Sequence, residues 1–182
     1  MNRKQVVDYL ETIDSHLTGE VVLYVYGSGA QILLGERLRT SLDLDVAAPY
    51  CTGNLREFRE AAEEAGLPVD PDVAYQKDHI QWVGPLRLAL PAPDPDKDLV
   101  LWQGNHLTVR TVSPARLIAS KLIRYDESDQ ADIRFLIAHF RVSFSQLRDA
   151  VEDLPPPFNT NPVVRDNLDN LRADIEVWKE RQ

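Results

Sequence analysis

The chain has 182 residues, 43% of them hydrophobic, which suffices for one sizeable core or for one domain with an appended subdomain. Its net charge of −9 argues against broad binding to duplex nucleic acid, because that binding needs clustered lysines and arginines. With Cys51 as the only cysteine and no two histidines at metal-ligand spacing, any metal must be held mainly by carboxylates. Without a membrane-length apolar run or a signal-peptide pattern, we expect a cytoplasmic protein with no membrane partner.

Hydrophobic periodicity predicts alternating helices and strands in the first part of the chain. In chain order these are a helix over 3–17, a strand over 21–26, a short helix over 30–34, a strand over 42–47 and a helix over 54–65. The run from Val21 to Tyr26 is continuous, β-branched and aromatic, which is typical of a buried strand. Asn54 is placed to cap the last of these helices.

From residue 69 onwards the periodicity changes to two, in short pieces separated by prolines. The candidate strands are 79–83, 86–90, 99–103 and 106–112. A Ser-Pro pair at 113–114 then provides a helix N-cap and a first-turn proline, and helical patterns continue with a break at the prolines 155–157. We therefore predict an α/β (α+β) fold, in which a mixed sheet with flanking helices over 1–112 is followed by a helical subdomain over 113–182.

The first motif combines a glycine–serine turn with two aspartates. Gly27 and Ser28 follow a strand at the mouth of a helix, where unpaired backbone N–H groups and the helix dipole favour a phosphate. Asp43 and Asp45 lie two apart on a strand, so both side chains project from the same face and can share a hard cation such as Mg²⁺. That cation would link the carboxylates to a triphosphate. Taken alone, the glycine–serine pair has a plain alternative as a simple turn, and the two aspartates have one as a solvated strand edge. The two halves together are more specific than either half alone.

The second motif joins two cations and two carboxylates around a helical corner. Lys121 and Arg124 are three apart and share a face of the helix that begins at residues 113–114. Asp129 and Asp132 begin the next predicted helix. The plain alternative is an ion-paired helix junction in which Asp129 also interacts with the helix dipole.

The segment 26–30, of sequence YGSGA, and the segment 39–46, of sequence RTSLDLDV, together resemble the signature of the DNA polymerase β-like nucleotidyltransferase superfamily. The similarity is greatest to its small bacterial toxin-type branch, which includes the abortive-infection AbiEii toxins and related uncharacterised proteins. It extends over residues 21–140 and leaves the last predicted helix outside. The resemblance implies a nucleotidyltransferase fold for the first part of the chain.

The resemblance also implies roles for single residues. In the family the glycine–serine pair contacts the triphosphate and the two aspartates bind Mg²⁺, or Mn²⁺, which implies the same for Gly27, Ser28, Asp43 and Asp45. It likewise implies that Lys121 contacts the nucleotide phosphates. The remaining matches in the second motif are an arginine near the phosphates and two acids that support the catalytic face, namely Arg124, Asp129 and Asp132.

Many active members of that superfamily carry a third carboxylate on a later central strand, where it binds metal and deprotonates the acceptor hydroxyl. The candidate strands over 86–90 and 107–110 contain no acidic residue. Either Asp132 takes that role as a general base or as an orienting group, or base function is weak or lost. Asp96 and Asp98 lie in a proline-rich loop, where we predict solvated turn residues.

The implied activity is Mg²⁺-dependent transfer of a nucleoside monophosphate from a nucleoside triphosphate to an RNA, in particular a tRNA, or to a protein. The resemblance also implies a toxin-like role opposed by a cognate antitoxin. Two alternatives stay open: a nucleotide-binding or partner-binding module of the same fold without turnover, and a metal-dependent phosphodiesterase that uses water as the nucleophile. We assign no catalytic role to His79, His106 or Cys51, because the sequence places no partner beside them.

Overall fold

The computed structural model describes residues 1–84, 87 and 89–180. These residues form two compact units. The first unit consists of Met1–Gly84 and Pro93–Val112, and the second consists of the residues from Ser113 onwards together with the described residues of the segment 85–92. No helix in the described part of the chain is both long enough and apolar enough to cross a membrane.

The first unit is a mixed α/β structure. Its helices and strands are, in chain order, α1 (Arg3–His16), β1 (Val21–Tyr24), α2 (Gly27–Leu34), β2 (Asp43–Val46), β3 (Thr52–Gly53), α3 (Leu55–Glu64), β4 (His79–Trp82), β5 (Leu99–Gln103) and β6 (Leu107–Thr111). A capping box begins α1, because the Asn2 side chain accepts from the Gln5 N–H and the Gln5 side chain accepts from the Asn2 N–H. Asn54 caps α3 as predicted, accepting from the Glu57 N–H at 3.2 Å.

Four strands form a mixed sheet in the order β3-β1-β6-β5. β1 runs parallel to β6 and antiparallel to β3, and β5 runs antiparallel to β6. β2 and β4 form a separate parallel pair. This pair meets the end of β1 through a bridge between Val25 and Val46 and through a hydrogen bond from the Tyr26 N–H to the Asp45 carbonyl at 2.9 Å. The aspartate-bearing strand therefore runs beside the turn that contains Gly27.

Side-chain alternation gives these strands a buried side and a more polar side. Buried residues that follow this alternation include Val21, Leu23, Val25, Leu44, Val46, Ile80, Leu107 and Val109, whereas β1 departs from it because Tyr24 is buried as well. Asp43 and Asp45 are half-buried and alternate with the buried residues of β2. The alternation that the sequence predicts for this strand is present in the structure, and it leaves both carboxylates outside the core.

The structure differs from the sequence prediction in three places between residues 27 and 90. α2 begins at Gly27 rather than at residue 30, because the chain turns directly from Tyr26 into the helix. The short strand β3 has no signal in the sequence, since two residues carry no hydrophobic alternation. In the predicted strand over 86–90, residues 86 and 88 lie outside the described residues, while residues 87 and 89 lie in turns.

The second unit is helical, as predicted. Its helices are α4 (Pro114–Lys121), α5 (Glu127–Phe140), α6 (Phe144–Glu152) and α7 (Pro162–Glu180). Pro114 occupies the first turn of α4, where its missing N–H sacrifices no helical hydrogen bond. α5 begins at Glu127 and not at Asp129, because the Asp126 side chain caps it by accepting from the Asp129 N–H at 2.9 Å.

Candidate functional site

Gly27 brings the first turn of α2 against a carboxylate. Its φ of +58° lies in the left-handed region, and a Cβ built on it would lie 2.5 Å from Asp45 Oδ2. Any side chain at this position would displace the Asp45 carboxylate or shift the turn. The positive φ therefore favours glycine here, and the missing side chain leaves room for the Asp45 carboxylate at the N-terminus of α2.

Gly29 has a different purpose in the same turn. A Cβ there would lie 2.7 Å from Leu44 Cδ2 and 3.0 Å from Val25 Cγ1. Its missing side chain lets α2 pack closely on the buried side of β2. The first turn of α2 thus lies close to β2 at two points, with Gly27 next to the Asp45 carboxylate and Gly29 next to the buried Leu44 side chain.

Ser28 is held by an arginine that the sequence patterns do not assign to the site. The Ser28 hydroxyl oxygen accepts hydrogen bonds from Arg39 Nε at 3.2 Å and from Arg39 Nη2 at 3.0 Å. Arg39 is half-buried, so water screens its charge only in part. A guanidinium in this position adds to the positive end of α2 and favours a bound anion. The sequence shows only that Arg39 lies in the segment before β2. The contact between Arg39 and Ser28 is tertiary, so no local pattern predicts it.

Asp43 and Asp45 project from the same side of β2, as their spacing predicts. Asp43 Oδ1 accepts a hydrogen bond from the Ser41 hydroxyl at 2.7 Å, which orients that carboxylate. Two carboxylates supply hard oxygen ligands, and proteins commonly hold Mg²⁺ with one or two carboxylates together with substrate phosphates. The donor set therefore fits Mg²⁺ or Mn²⁺ that takes its other ligands from a polyphosphate and water.

β4, whose residues are all described, offers no carboxylate beside Asp43 and Asp45. It pairs with β2 so that His79 lies next to Asp43 and Gln81 lies next to Asp45. His79 Nδ1 is 2.9 Å from the Lys77 carbonyl oxygen. Among the described residues, no group of three or more histidines, cysteines, aspartates or glutamates could hold a metal ion. Asp43 and Asp45 are therefore the acidic residues that this strand pair presents to a cation.

Asp98 does not fit the prediction of a solvated turn residue, because it has two hydrogen-bond donors within the protein. Its Oδ2 accepts from the Asp94 N–H at 2.9 Å, and its carboxylate also accepts from the Tyr24 hydroxyl. Burial and the Asp98 carboxylate raise the pKa of Tyr24 above its usual range. Burial also raises the pKa of Tyr26. Both tyrosines therefore stay protonated at neutral pH.

In the second unit, Lys121 is buried against two carboxylates. Its Nζ lies 2.6 Å from Asp132 Oδ2 and 3.4 Å from Asp129 Oδ1. Asp129 and Asp132 are only 1% and 2% exposed, so they depend on these partners for neutralisation. Arg124 contacts Asp129 with two nitrogens, Nε to Oδ2 at 3.1 Å and Nη2 to Oδ1 at 3.0 Å. These hydrogen bonds raise the pKa of Arg124, and the cluster has the form of an ion-paired helix junction.

The predicted continuation of α4 to Arg124 is wrong, because this helix ends at Lys121. The two cations nevertheless lie on a common side, since both contact Asp129. Asp132 accepts directly from the Lys121 ammonium. Uptake of a proton by Asp132 would break this buried ion pair, which weakens the case for Asp132 as a general base.

The structure brings together the two halves of the first motif in the first unit and the charged residues of the second motif in the second unit. The first group is Gly27, Ser28, Asp43 and Asp45, and the second group is Lys121, Arg124, Asp129 and Asp132. No family model, no curated protein and no solved structure matches the chain. The functional interpretation therefore rests on these residues and on the resemblance in the sequence.

Proposed function

We propose that the chain is a Mg²⁺-dependent nucleotidyltransferase that moves a nucleoside monophosphate from a nucleoside triphosphate to an acceptor hydroxyl. The observation that carries the proposal is the packing of the Asp45 carboxylate against Gly27, where a Cβ would lie 2.5 Å from Oδ2. A cation ligand and an anion-binding helix terminus thereby meet at one point. Mg²⁺ bound there would offset charge on the transferred phosphoryl group and on the leaving pyrophosphate.

Different groups of the first unit bind the phosphates and the cation in this proposal. The N-terminal N–H groups of α2 donate to phosphate oxygens. Because the Ser28 oxygen accepts from Arg39, its hydroxyl hydrogen is directed elsewhere and can donate to a phosphate as well. Arg39 adds positive charge where the triphosphate brings negative charge. Asp43 and Asp45 hold the cation and so orient the reacting phosphate toward the acceptor.

The roles of Lys121 and Asp132 in this proposal come from the resemblance. It assigns Lys121 to the nucleotide phosphates and leaves Asp132 as general base or orienting group. Both side chains are engaged in the ion pair of 2.6 Å, which is also a sufficient structural reason for their presence. Mutation of this pair must therefore separate a structural role from a catalytic one.

The acceptor and the biological role are also proposed from the resemblance. It favours an RNA acceptor, in particular a tRNA, or a protein acceptor, and a toxin-like activity opposed by a cognate antitoxin. Mass spectrometry of RNA and protein from cells that express the chain tests this directly. A nucleoside monophosphate adduct on a tRNA or a protein would identify the acceptor.

A nucleotide-binding module without turnover is the second candidate. The observation in its favour is that Gln81, a neutral amide, lies next to Asp45 in the strand pair. Two carboxylates can hold a cation together with a polyphosphate, but an amide cannot accept the proton of an acceptor hydroxyl. This arrangement supports nucleotide binding more strongly than turnover.

Incubating the purified chain with Mg²⁺, α-phosphate-labelled nucleoside triphosphates, total RNA and lysate separates the candidates. Label on RNA or protein that disappears with Asp43→Ala/Asp45→Ala supports the transferase. Nucleotide binding without a labelled acceptor supports the module, and released label without incorporation points to the phosphodiesterase. The matched control is Asp166→Ala/Asp169→Ala, which removes two exposed carboxylates of α7 and should leave incorporation unchanged.

A further inference from the structure

The pairing of β2 with β4 determines which side chains stand beside the two aspartates. Leu44 pairs with Ile80, and both are buried, at 2% and 1% exposure. The residues that alternate with them, on both strands, therefore project to the other side together. Neighbouring strands lie about 4.8 Å apart, so Gln81 is the residue of β4 that lies directly beside Asp45 on this side.

Gln81 differs from a glutamate only by an amide nitrogen in place of a carboxylate oxygen. The amide is neutral at all accessible pH values, whereas a glutamate here would bring a third negative charge to Asp43 and Asp45. The affinity of a protein for a hard divalent cation rises with the number of charged oxygen ligands. The affinity of this surface for a divalent cation is therefore lower with Gln81 than it would be with a carboxylate at the same position.

The same turn also carries positive charge. Arg39 donates to Ser28 at 3.0 Å and 3.2 Å, and α2 begins at Gly27, beside the Asp45 carboxylate. This positive charge opposes a cation that arrives alone and favours an anion. Two carboxylates, a guanidinium and a helix terminus therefore suit a cation and a polyphosphate that bind together.

We propose that Gln81 limits the site to two carboxylates and thereby makes divalent-cation binding depend on a bound polyphosphate. The inference rests on the proposed function, because it concerns the same cation site. It adds a residue that sets the order of binding: the cation arrives with the nucleotide rather than before it. A glutamate at position 81 would remove that dependence.

Titration of Mn²⁺ into the full chain, followed by electron paramagnetic resonance of free Mn²⁺, tests the inference without measuring turnover. Without nucleotide, Gln81→Glu should bind Mn²⁺ about tenfold more tightly than the wild type, because one carboxylate is added. Gln103→Glu adds the same charge at an exposed position of β5 and should change the affinity by less than about twofold. Equal affinities of Gln81→Glu and Gln103→Glu would overturn the inference.

A second variant keeps the number of carboxylates constant and so avoids added repulsion. Asp45→Asn should weaken binding of the Mn²⁺ complex of a non-hydrolysable triphosphate. Asp45→Asn/Gln81→Glu should restore at least half of the lost affinity, because it places a carboxylate on the neighbouring strand, next to the position where Asp45 lost its own. If Gln81→Glu does not fold, this rescue decides the question. No rescue means that Gln81 does not face the cation.

The outcomes separate the inference from the proposed function. If the wild type binds the Mn²⁺ triphosphate complex but Gln81→Glu gains no affinity for Mn²⁺, the inference fails and the function stands. If Gln81→Glu binds Mn²⁺ while the wild type binds neither Mn²⁺ nor its triphosphate complex, the proposed function fails, and the dependence of cation binding on a polyphosphate fails with it. If neither protein binds either ligand, both fail.

Discussion

Single residues at the start of α2 carry the strongest structural demands of the candidate site. Gly27 combines a positive φ with the close approach of the Asp45 carboxylate, while Gly66 has a positive φ of +78° but nothing within 4 Å of a built Cβ. Both positions carry the backbone strain of a positive φ, but only Gly27 has a carboxylate close to the position of the missing Cβ. A comparison of variants at the two glycines therefore separates the two effects.

Gly27→Ala should lower the free energy of unfolding by about 1–3 kcal/mol through backbone strain and should also abolish binding of a Mg²⁺ triphosphate complex, because the new methyl group displaces Asp45. Gly66→Ala should show comparable strain and unchanged nucleotide binding. Urea unfolding and calorimetric titration measure the two effects. Intact nucleotide binding by Gly27→Ala would contradict the assigned position of Asp45.

The sequence identifies part of this residue set and not the rest, for a physical reason. Gly27, Ser28, Asp43 and Asp45 follow from local patterns, since turn chemistry and strand alternation are properties of neighbouring residues. Arg39 and Gln81 enter through tertiary contacts with Ser28 and Asp45. No local pattern shows such contacts, so only the structure adds these two residues to the candidate site.

At the scale of elements, α1 is joined to the β5–β6 connection through one buried carboxylate. Asp14 is 6% exposed and accepts three backbone hydrogen bonds, from Asn105 at 2.9 Å, His106 at 2.8 Å and Leu107 at 2.7 Å. A Cβ on Gly104 would lie 2.4 Å from Asp14 Cγ, so the turn fits closely around this carboxylate. Asp14 thus fixes the helix to the sheet.

Asp14→Asn should lower the free energy of unfolding by about 2–4 kcal/mol at pH 7, because the amide replaces an ionised acceptor of three N–H groups. Urea unfolding measures this difference. Asp8→Asn, at an exposed position of α1, is the control and should change stability by less than about 0.5 kcal/mol. A loss for Asp14→Asn no larger than that of the control would show that these hydrogen bonds do not stabilise the fold.

The same carboxylate gives the fold a defined pH dependence. Burial alone would raise the pKa of Asp14, but the three backbone donors outweigh burial and hold this pKa below its usual range. The contribution of Asp14 is therefore complete above its unfolded pKa of about 3.9 and is lost as the pH falls through the lower folded value. The stability difference between the wild type and Asp14→Asn should shrink below about pH 4. A difference that stays constant down to pH 2.5 would contradict this assignment.

The junction of α4 and α5 decides whether Lys121 has a structural role. Lys121→Met leaves Asp129 and Asp132 buried without their ammonium partner and should lower the free energy of unfolding by about 3–5 kcal/mol. Arg148→Met removes an exposed cation of α6 and should change stability by less than about 0.5 kcal/mol. A Lys121→Met protein of wild-type stability that has lost nucleotide incorporation would instead favour a catalytic lysine.

At the scale of the whole molecule, the order of most elements could be predicted, except for β3 and the strand expected over 86–90, while the pairing of distant strands could not. The change from alternating helices and strands to helices alone at Pro114 follows from the hydrophobic period. The pairing of β2 with β4, in contrast, joins Asp45 to Gln81 across a long stretch of chain. Such pairings depend on how the whole core packs, which is why β4 could not be identified from sequence as the strand beside the aspartates.

The central claim is that Asp43 and Asp45 bind a divalent cation together with a nucleoside triphosphate, and calorimetric unfolding with and without that complex tests it most directly. A ligand that binds only the folded state at about 100 times its Kd stabilises the protein by about 2.7 kcal/mol. The wild type and the Asp166→Ala/Asp169→Ala control should therefore unfold at a higher temperature with the Mn²⁺ complex of a non-hydrolysable triphosphate. Asp43→Ala/Asp45→Ala should fold normally and show no increase. An equal increase in the double variant, or none in the wild type, would contradict the claim.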